Sequence, residues 1–234
     1  MLKKVSKLLF QKSNISILLL IILGSLVWSS TMIRSGKIYN FGMGFWGPNA
    51  HDGLWHIAIS KSLASFSFEN PVYAGNLIKN YHVGFDFLLG IISRISQIDV
   101  FFIYFTIFPI VCSFGVGILS YIYSVKLFKS KFAAFWSVFF VYFGGGLGSI
   151  VHLVRYGKLG GDSMFWAQSS ATTLINPPFA LSLVFLLLIL MIIAKSEFYK
   201  STRSLIFLGF FLFAAFQIKV YAGLLLFLSF FILS

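Results

Sequence analysis

The chain has 234 residues, of which 59% are hydrophobic and only 10% are charged, and its mean hydropathy is +0.92. A soluble domain carries roughly 25% charged residues, so this composition excludes an ordinary soluble domain and predicts a membrane protein. The net charge of +12 does not indicate nucleic-acid binding, because the basic residues form short clusters between apolar segments, as the positive-inside rule describes.

Apolar segments in chain order predict an all-α, polytopic transmembrane helical bundle with about six spans, since a spanning helix needs about 20 apolar residues. The segments cover residues 14–33, 100–125, 132–151, 178–194, 204–217 and 220–234. Lysines precede the first segment as they do in a signal peptide, but its length favours a retained helix. The last two segments are short and form either one broken helix or a tight helical hairpin. We assign residues 1–234 to a single transmembrane domain.

The basic clusters predict the orientation of the bundle, because lysine and arginine are enriched on the cytoplasmic side. With the N-terminus in the cytoplasm, residues 35–99 form the first extracytoplasmic loop and residues 152–176 form the second. Two further basic clusters then lie in the cytoplasm: Lys126, Lys129 and Lys131, and Lys195, Lys200 and Arg203. The apolar segment 81–97 is predicted to be an interfacial helix on the outer leaflet, because counting it as a span would move the cluster at 126–131 outside.

The first loop contains a polar motif that has both a structural and a functional interpretation. Asn49 is a favourable helix N-cap, and Asp52 occupies the position of the acid in a capping box, so the motif could simply start a helix. Alternatively, Asp52 and His56 share a helix face at a spacing of four residues. A helix N-terminus would keep Asp52 ionised, as a catalytic base or a ligand requires.

Further candidates follow along the chain. His82 and Asp86 repeat the four-residue spacing at the start of the interfacial segment, where they either mark its water-facing edge or form part of a site. In the second loop, Arg155 and Lys158 either bind phosphate or extend to lipid head groups. Lys219 interrupts the last apolar stretch, and a charge within the membrane is costly enough to indicate a functional site; otherwise it marks an outer turn.

These features together resemble the GT-C superfamily of polytopic glycosyltransferases, which includes the protein O-mannosyltransferases and the lipid A aminoarabinose transferases. The resemblance consists of a basic N-terminus, one helix, a long outer loop with an acidic motif near its start, and paired helices joined by a basic turn. His51-Asp52 occupies the place of the family's first-loop acid, and Asp162 is the candidate for a second acid. Tyr81-His82 stands where the family has a His-Pro-Pro motif. The chain matches the N-terminal portion of such an enzyme and ends at Ser234 inside an apolar segment.

The resemblance implies inverting transfer of a sugar from a polyprenyl-phosphate donor to a glycan, lipid or protein acceptor on the extracytoplasmic face of the cell membrane. Asp52 would be the base, assisted or oriented by His51 or His56. The other candidates form two groups: His82, Asp86 and Asp162, which would shape the polar cavity, and Arg155, Lys158 and Lys219, which would bind phosphate. A Mg²⁺ or Mn²⁺ ion held by Asp52 and Asp162 is left open, because metal dependence varies across the superfamily.

Two other functions are also left open. A lipid or small-molecule transporter of the flippase type would suit a broken helix and an intramembrane Lys219. A non-catalytic fragment of the same fold would act only by assembly. The distribution of charge favours the enzyme over the transporter, because a transporter needs polar groups near the membrane midplane and this chain concentrates them in its outer loops.

Overall fold

The computed structural model describes residues 15–145, 148–158, 173–193 and 201–233. These residues are mostly helical, as predicted, and form nine helices. The helices are α1 (Ile15–Ile33), α2 (Asp52–Ala64), α3 (Gly84–Ser96), α4 (Val100–Phe128), α5 (Lys131–Phe143), α6 (Gly148–Tyr156), α7 (Pro177–Ile193), α8 (Thr202–Ile218) and α9 (Val220–Leu233). The all-α prediction missed one short antiparallel hairpin, in which β1 (Lys37–Tyr39) pairs with β2 (Gly42–Gly44).

Two helices, α1 with 19 residues and α4 with 29 residues, are long and apolar enough to cross a membrane. The prediction of about six spans is therefore supported for two of them. The apolar helices α5, α7, α8 and α9 contain 13, 17, 17 and 14 residues. At 1.5 Å per residue a 13-residue helix is roughly 20 Å long, which is less than the ~30 Å hydrocarbon thickness. Helix α5 ends early because the chain becomes extended at Gly144, the first of a run of glycines.

Helices α1, α4 and α5 form the centre of the main core, and Tyr142 of α5 is the side chain they share. The Tyr142 hydroxyl lies 3.0 Å from the Ser25 hydroxyl and donates to the Ser113 carbonyl at 2.8 Å. Trp28 packs edge-on against the Tyr142 ring and donates its indole N–H to the Tyr142 carbonyl at 3.0 Å. All these polar groups are buried, so they satisfy one another inside an apolar environment.

Two glycines make room for the Tyr142 ring. A Cβ atom at Gly24 of α1 would collide with one part of the ring, and a Cβ atom at Gly117 of α4 would collide with the hydroxyl end. Small residues of this kind let membrane helices approach closely. Because Tyr142 is enclosed from both sides and hydrogen-bonded at its tip, it cannot move away from a larger residue.

A second, smaller core joins α7, α8 and α9 through Ile189, Leu208, Ala215 and Leu226. Helices α8 and α9 are separated by a single residue, Lys219, whose backbone is extended at φ −157° and ψ 116°. They pack against each other, with Gly223 lying directly against the Phe216 ring. Of the two alternatives that the sequence left open, the structure shows two separate helices in contact, which is closer to the tight hairpin than to one span.

We predict that Gly117→Ala lowers the free energy of unfolding by about 1–3 kcal/mol, the usual cost of overpacking, because the new methyl group collides with Tyr142. Gly115→Ala on the same helix is the matched control, since its Cβ would meet only Val184 at 3.5 Å. Both substitutions replace glycine by alanine in α4 and gain the same helix propensity. The difference between their free energies of unfolding, measured with denaturant in detergent, therefore reports the collision with Tyr142. Equal stability of the two variants would contradict the packing described for Tyr142.

Candidate functional site

The first loop is attached to the end of α1 by Asn49. Its side-chain amide donates to the Ser35 hydroxyl at 2.8 Å and to the Thr31 carbonyl at 3.3 Å, and Asn49 is buried. The predicted capping box is therefore wrong. The N-cap of α2 is His51, which makes no side-chain capping bond, and Asp52 is the first residue of the helix. Asn49 does not cap α2 because it lies in the short 3-10 turn Gly47–Ala50, two residues before the N-cap His51.

Helices α2 and α3 pack closely, and Gly90 permits this approach. A Cβ atom at Gly90 would lie 2.6 Å from the Ser60 carbonyl oxygen. Phe85 and Leu89 of α3 are buried in the main core, whereas Ile95 on the opposite side is exposed. The predicted helix in segment 81–97 is thus confirmed as α3, Gly84–Ser96. Its location on the outer leaflet stays a prediction.

A buried histidine–aspartate pair joins these two helices. His56 Nδ1 lies 2.8 Å from Asp86 Oδ1, across 30 residues of sequence, and the two residues are only 3% and 0% exposed. The His56 ring stacks near Tyr104, with ring centroids 6.1 Å apart, and meets the edge of Phe85 at 5.6 Å. The hydrogen-bond partner of His56 is therefore Asp86, although the helical spacing had suggested Asp52.

Opposing effects act on the Asp86 carboxyl group. Burial raises the pKa of Asp86 above its ordinary value, and the hydrogen bond and positive charge of His56 offset only part of that rise. Asp86 also lies in the first turn of α3, where the helix dipole favours its ionised form. Its second oxygen, Oδ2, and the nearby Ser60 hydroxyl are both buried without a hydrogen-bond partner. Because Nδ1 of His56 is committed to Asp86, only Nε2 on the far side of the ring is left for another group.

The second histidine–aspartate pair has the same geometry but a different environment. His51 Nδ1 lies 2.8 Å from Asp52 Oδ1, and the two side chains are 92% and 48% exposed. Asp52 lies in the first turn of α2, so the helix N-terminus and a histidine both face this carboxylate. Asp52 is therefore an accessible carboxylate, which a base or a ligand must be.

Lys219 is the residue between α8 and α9. Its ammonium donates to Asn176 Oδ1 at 3.1 Å and lies 5.5 Å from the centre of the Tyr221 ring. The start of α3 touches the end of α8, since a Cβ atom at Gly84 would lie 2.8 Å from the main-chain oxygen of Gln217. Burial lowers the pKa of the Lys219 ammonium, and the negative charge of Asp52 offsets part of that shift. The helix break thus brings a lysine from near the end of the chain to the first-loop helices.

His82 lies between these groups. It precedes α3, so the four-residue spacing from Asp86 does not put the two side chains on one helix face, and the predicted i, i+4 pairing is wrong. Burial lowers the pKa of His82, and the positive charge of Lys219 lowers it further. Its Nδ1 atom is buried without a hydrogen-bond partner, and its ring stacks on Tyr81 at 4.8 Å. Burial also raises the pKa of Tyr81 to about 12, so its hydroxyl stays protonated.

The structure therefore gathers most of the predicted residues. We define the loop cluster as His51, Asp52, His56, His82, Asp86 and Lys219. Arg155 and Lys158 are exposed at the end of α6, where the Lys158 carbonyl lies 2.8 Å from His152 Nδ1. Within the described ranges, no hydrogen bond or ion pair joins them to the loop cluster. Asp162 falls outside the described residues.

The metal prediction has only one of its two ligands in the described part of the chain. Asp52 is described and Asp162 is not. Residues 15–145, 148–158, 173–193 and 201–233 contain no group of three or more histidine, cysteine, aspartate or glutamate side chains arranged to hold a metal ion. A site shared by Asp52 and Asp162 stays a prediction.

Two residues of the site were missed by sequence reasoning. Tyr104 is buried against His56, and it lies in Ile103–Ile107, a π-helical turn within α4. Such turns often occur at functional sites, but hydropathy gives no sign of them. Asn176, the partner of Lys219, directly precedes Pro177, the first residue of α7. A polar residue before a proline that starts a helix was the available signal.

Comparison of the chain with protein-family models, with curated proteins and with solved structures gives no match. The functional argument therefore depends on the residues and geometry of the loop cluster.

We predict that His56→Ala lowers the free energy of unfolding by about 3 kcal/mol, because it leaves the Asp86 carboxylate buried without its partner. His51→Ala removes a pair of the same 2.8 Å length at an exposed site and should cost about 0–1 kcal/mol. Denaturant unfolding of both variants in detergent measures the difference. Losses of the same size would mean that the buried pair does not hold α2 against α3.

Proposed function

We propose that the chain is, or is part of, a membrane glycosyltransferase that moves a sugar from a polyprenyl-phosphate donor to an acceptor on the extracytoplasmic face. The observation that carries the proposal is the arrangement of Asp52 and Lys219. An accessible carboxylate lies in the first turn of α2, and a lysine ammonium lies at the break between α8 and α9, where the end of α8 touches the start of α3. A buried histidine–aspartate pair holds α2 against α3. Transfer from a lipid phosphate needs these two groups, a base and a cation.

In the proposed reaction, the oxygen of the acceptor hydroxyl attacks the anomeric carbon of the sugar, and Asp52 accepts the proton of that hydroxyl. The bond between that carbon and the phosphate oxygen breaks on the opposite side, so the configuration inverts and polyprenyl phosphate leaves. Lys219 stabilises the negative charge of the leaving phosphate. His51 orients the Asp52 carboxylate, to which it lies at 2.8 Å. His56 acts indirectly, by holding α2 on α3 through Asp86.

The proposal includes a topology in which the shorter apolar helices α5, α7, α8 and α9 also lie in the membrane. The N-terminus is then cytoplasmic, and residues 35–99 and 152–176 are extracytoplasmic. One of the predicted cytoplasmic clusters lies at the turn between α4 and α5 and supports this orientation; it consists of Lys126, Lys129 and Lys131. Arg155, Lys158 and Asp162 belong to the second loop, where they would bind the donor or a divalent metal.

A lipid transporter is the second candidate, and the extended backbone at Lys219 favours it. Interrupted helices are used by transporters to build binding sites in the membrane. The two functions separate by product: a transporter moves an unchanged polyprenyl-phosphate sugar across the bilayer, whereas a glycosyltransferase releases polyprenyl phosphate.

We predict that Asp52→Asn lowers the rate of polyprenyl-phosphate release by about 10²- to 10⁴-fold, the usual contribution of a general base. The assay uses the protein in vesicles with a panel of polyprenyl-phosphate hexoses. Asp99→Asn is the matched control, because Asp99 accepts from the Phe101 amide at 2.8 Å as the N-cap of α4 and asparagine caps equally well. A normal rate in the Asp52 variant would reject the base assignment.

We further predict that Lys219→Met weakens binding of polyprenyl phosphate by roughly 10- to 100-fold, since a hydrogen bond to a charged group contributes about 1.5–3 kcal/mol. Methionine keeps the apolar stem and removes the charge. The control is Lys61→Met, which removes an exposed lysine 3.5 Å from Asp99, outside the loop cluster. If Lys219 only marks a turn, the two variants will bind polyprenyl phosphate with the same affinity.

A further inference from the structure

The β1–β2 hairpin projects from the body of the protein and exposes apolar side chains on its surface. Ile38 is 82% exposed and Phe41 is 85% exposed. The Phe41 ring stacks on Tyr39, with centroids 5.2 Å apart and an interplanar angle of 4°. A Cβ atom at Gly42 would meet nothing within 4 Å in the described part of the chain, so the space beside this position of the turn is open.

The base of the hairpin is fixed where α1 ends and α4 begins. Gly36 has a φ of +78° and lies so close to the Phe101 ring that no larger residue would fit, and its amide donates to the Gly44 carbonyl at 2.9 Å. On the other strand, Phe45 packs against Phe105 with ring centroids 6.0 Å apart. Helices α1 and α4 are the two helices long enough to cross a membrane. The base of the hairpin therefore lies where these two candidate spans meet, at the end of α1 and the start of α4.

The charged residues of the hairpin segment are all positive. Arg34 precedes the hairpin, Lys37 is the first residue of β1, and no acidic residue occurs between residues 34 and 51. Basic residues beside exposed aromatic and aliphatic side chains complement a lipid surface, where phosphate groups lie next to the acyl chains. The hairpin begins only a few residues after the end of α1, so a soluble protein partner would have to bind directly beside a candidate span.

We propose that the β1–β2 hairpin is a membrane anchor whose tip, Ile38 to Met43, inserts into the interface of the leaflet at which α1 ends. Insertion removes the Ile38 and Phe41 side chains from water and leaves Arg34 and Lys37 at the level of the lipid phosphates. It also fixes the height of the loop between β2 and α2, and hence of Asp52, relative to the membrane surface. The anchor does not depend on the proposed transferase activity.

The test measures the depth of a fluorescent probe at position 41. The chain has one cysteine, Cys112, which is buried, so Cys112→Ser gives a background in which Phe41→Cys can be labelled with an environment-sensitive dye. The labelled protein is reconstituted into vesicles of phosphatidylcholine and phosphatidylglycerol. We expect blue-shifted emission and quenching by lipids that carry a nitroxide near the head group.

Two matched positions calibrate the result. Leu19→Cys places the dye on an exposed face of α1 within the candidate span, and His51→Cys places it on the exposed start of the loop cluster. The probe at position 41 should be quenched best by the shallow nitroxide, and the probe at position 19 by a deep one. Emission at position 41 that matches the water-exposed probe at position 51 would overturn the anchor. A signal that disappears when the protein is diluted in the vesicles would show that a second copy covers the hairpin, and would overturn it equally.

Discussion

The buried contact between His56 and Asp86 is the constraint on which the arrangement of the first loop depends. It joins two short helices through residues that lie 30 positions apart in the chain, and both side chains are buried. Removing either partner would leave an uncompensated polar group in the core, so the pair strongly favours one relative position of α2 and α3. Gly90 permits the close approach that the pair needs, because any side chain there would meet the Ser60 carbonyl.

The loop cluster combines two kinds of charged group that differ in what they can do. Asp86 is buried and committed to His56, so it serves position rather than chemistry. Asp52 is accessible and lies in the first turn of α2, and Lys219 lies at the break between α8 and α9, next to the contact between Gln217 and Gly84. A carboxylate that can accept a proton and an ammonium that can bind an anion are thereby held on elements that the buried pair and the contact between Gly84 and Gln217 keep in place.

The core formed by α1, α4 and α5 supplies the rigid part to which the loops attach. Tyr142 is enclosed by Gly24 and Gly117 and hydrogen-bonded to Ser25 and Ser113, which fixes the three helices together. Asn49 attaches the first loop to this core, because its side-chain amide donates to the Thr31 carbonyl and the Ser35 hydroxyl near the end of α1. The hairpin and the loop cluster therefore start from a common, well-packed edge.

The sequence by itself determined the helical character of the protein and the residues capable of chemistry, because hydropathy and residue type are local properties. It identified α1 and α4, the two described helices that are long and apolar enough to cross a membrane, and named every member of the loop cluster. It could not assign partners: the four-residue spacing of Asp52 and His56 suggested a pair, but packing turned His56 toward Asp86, and His82 lies before α3 begins. Contacts between residues far apart in the chain, such as Lys219 with Asn176, depend on how the helices meet, which only the tertiary structure decides.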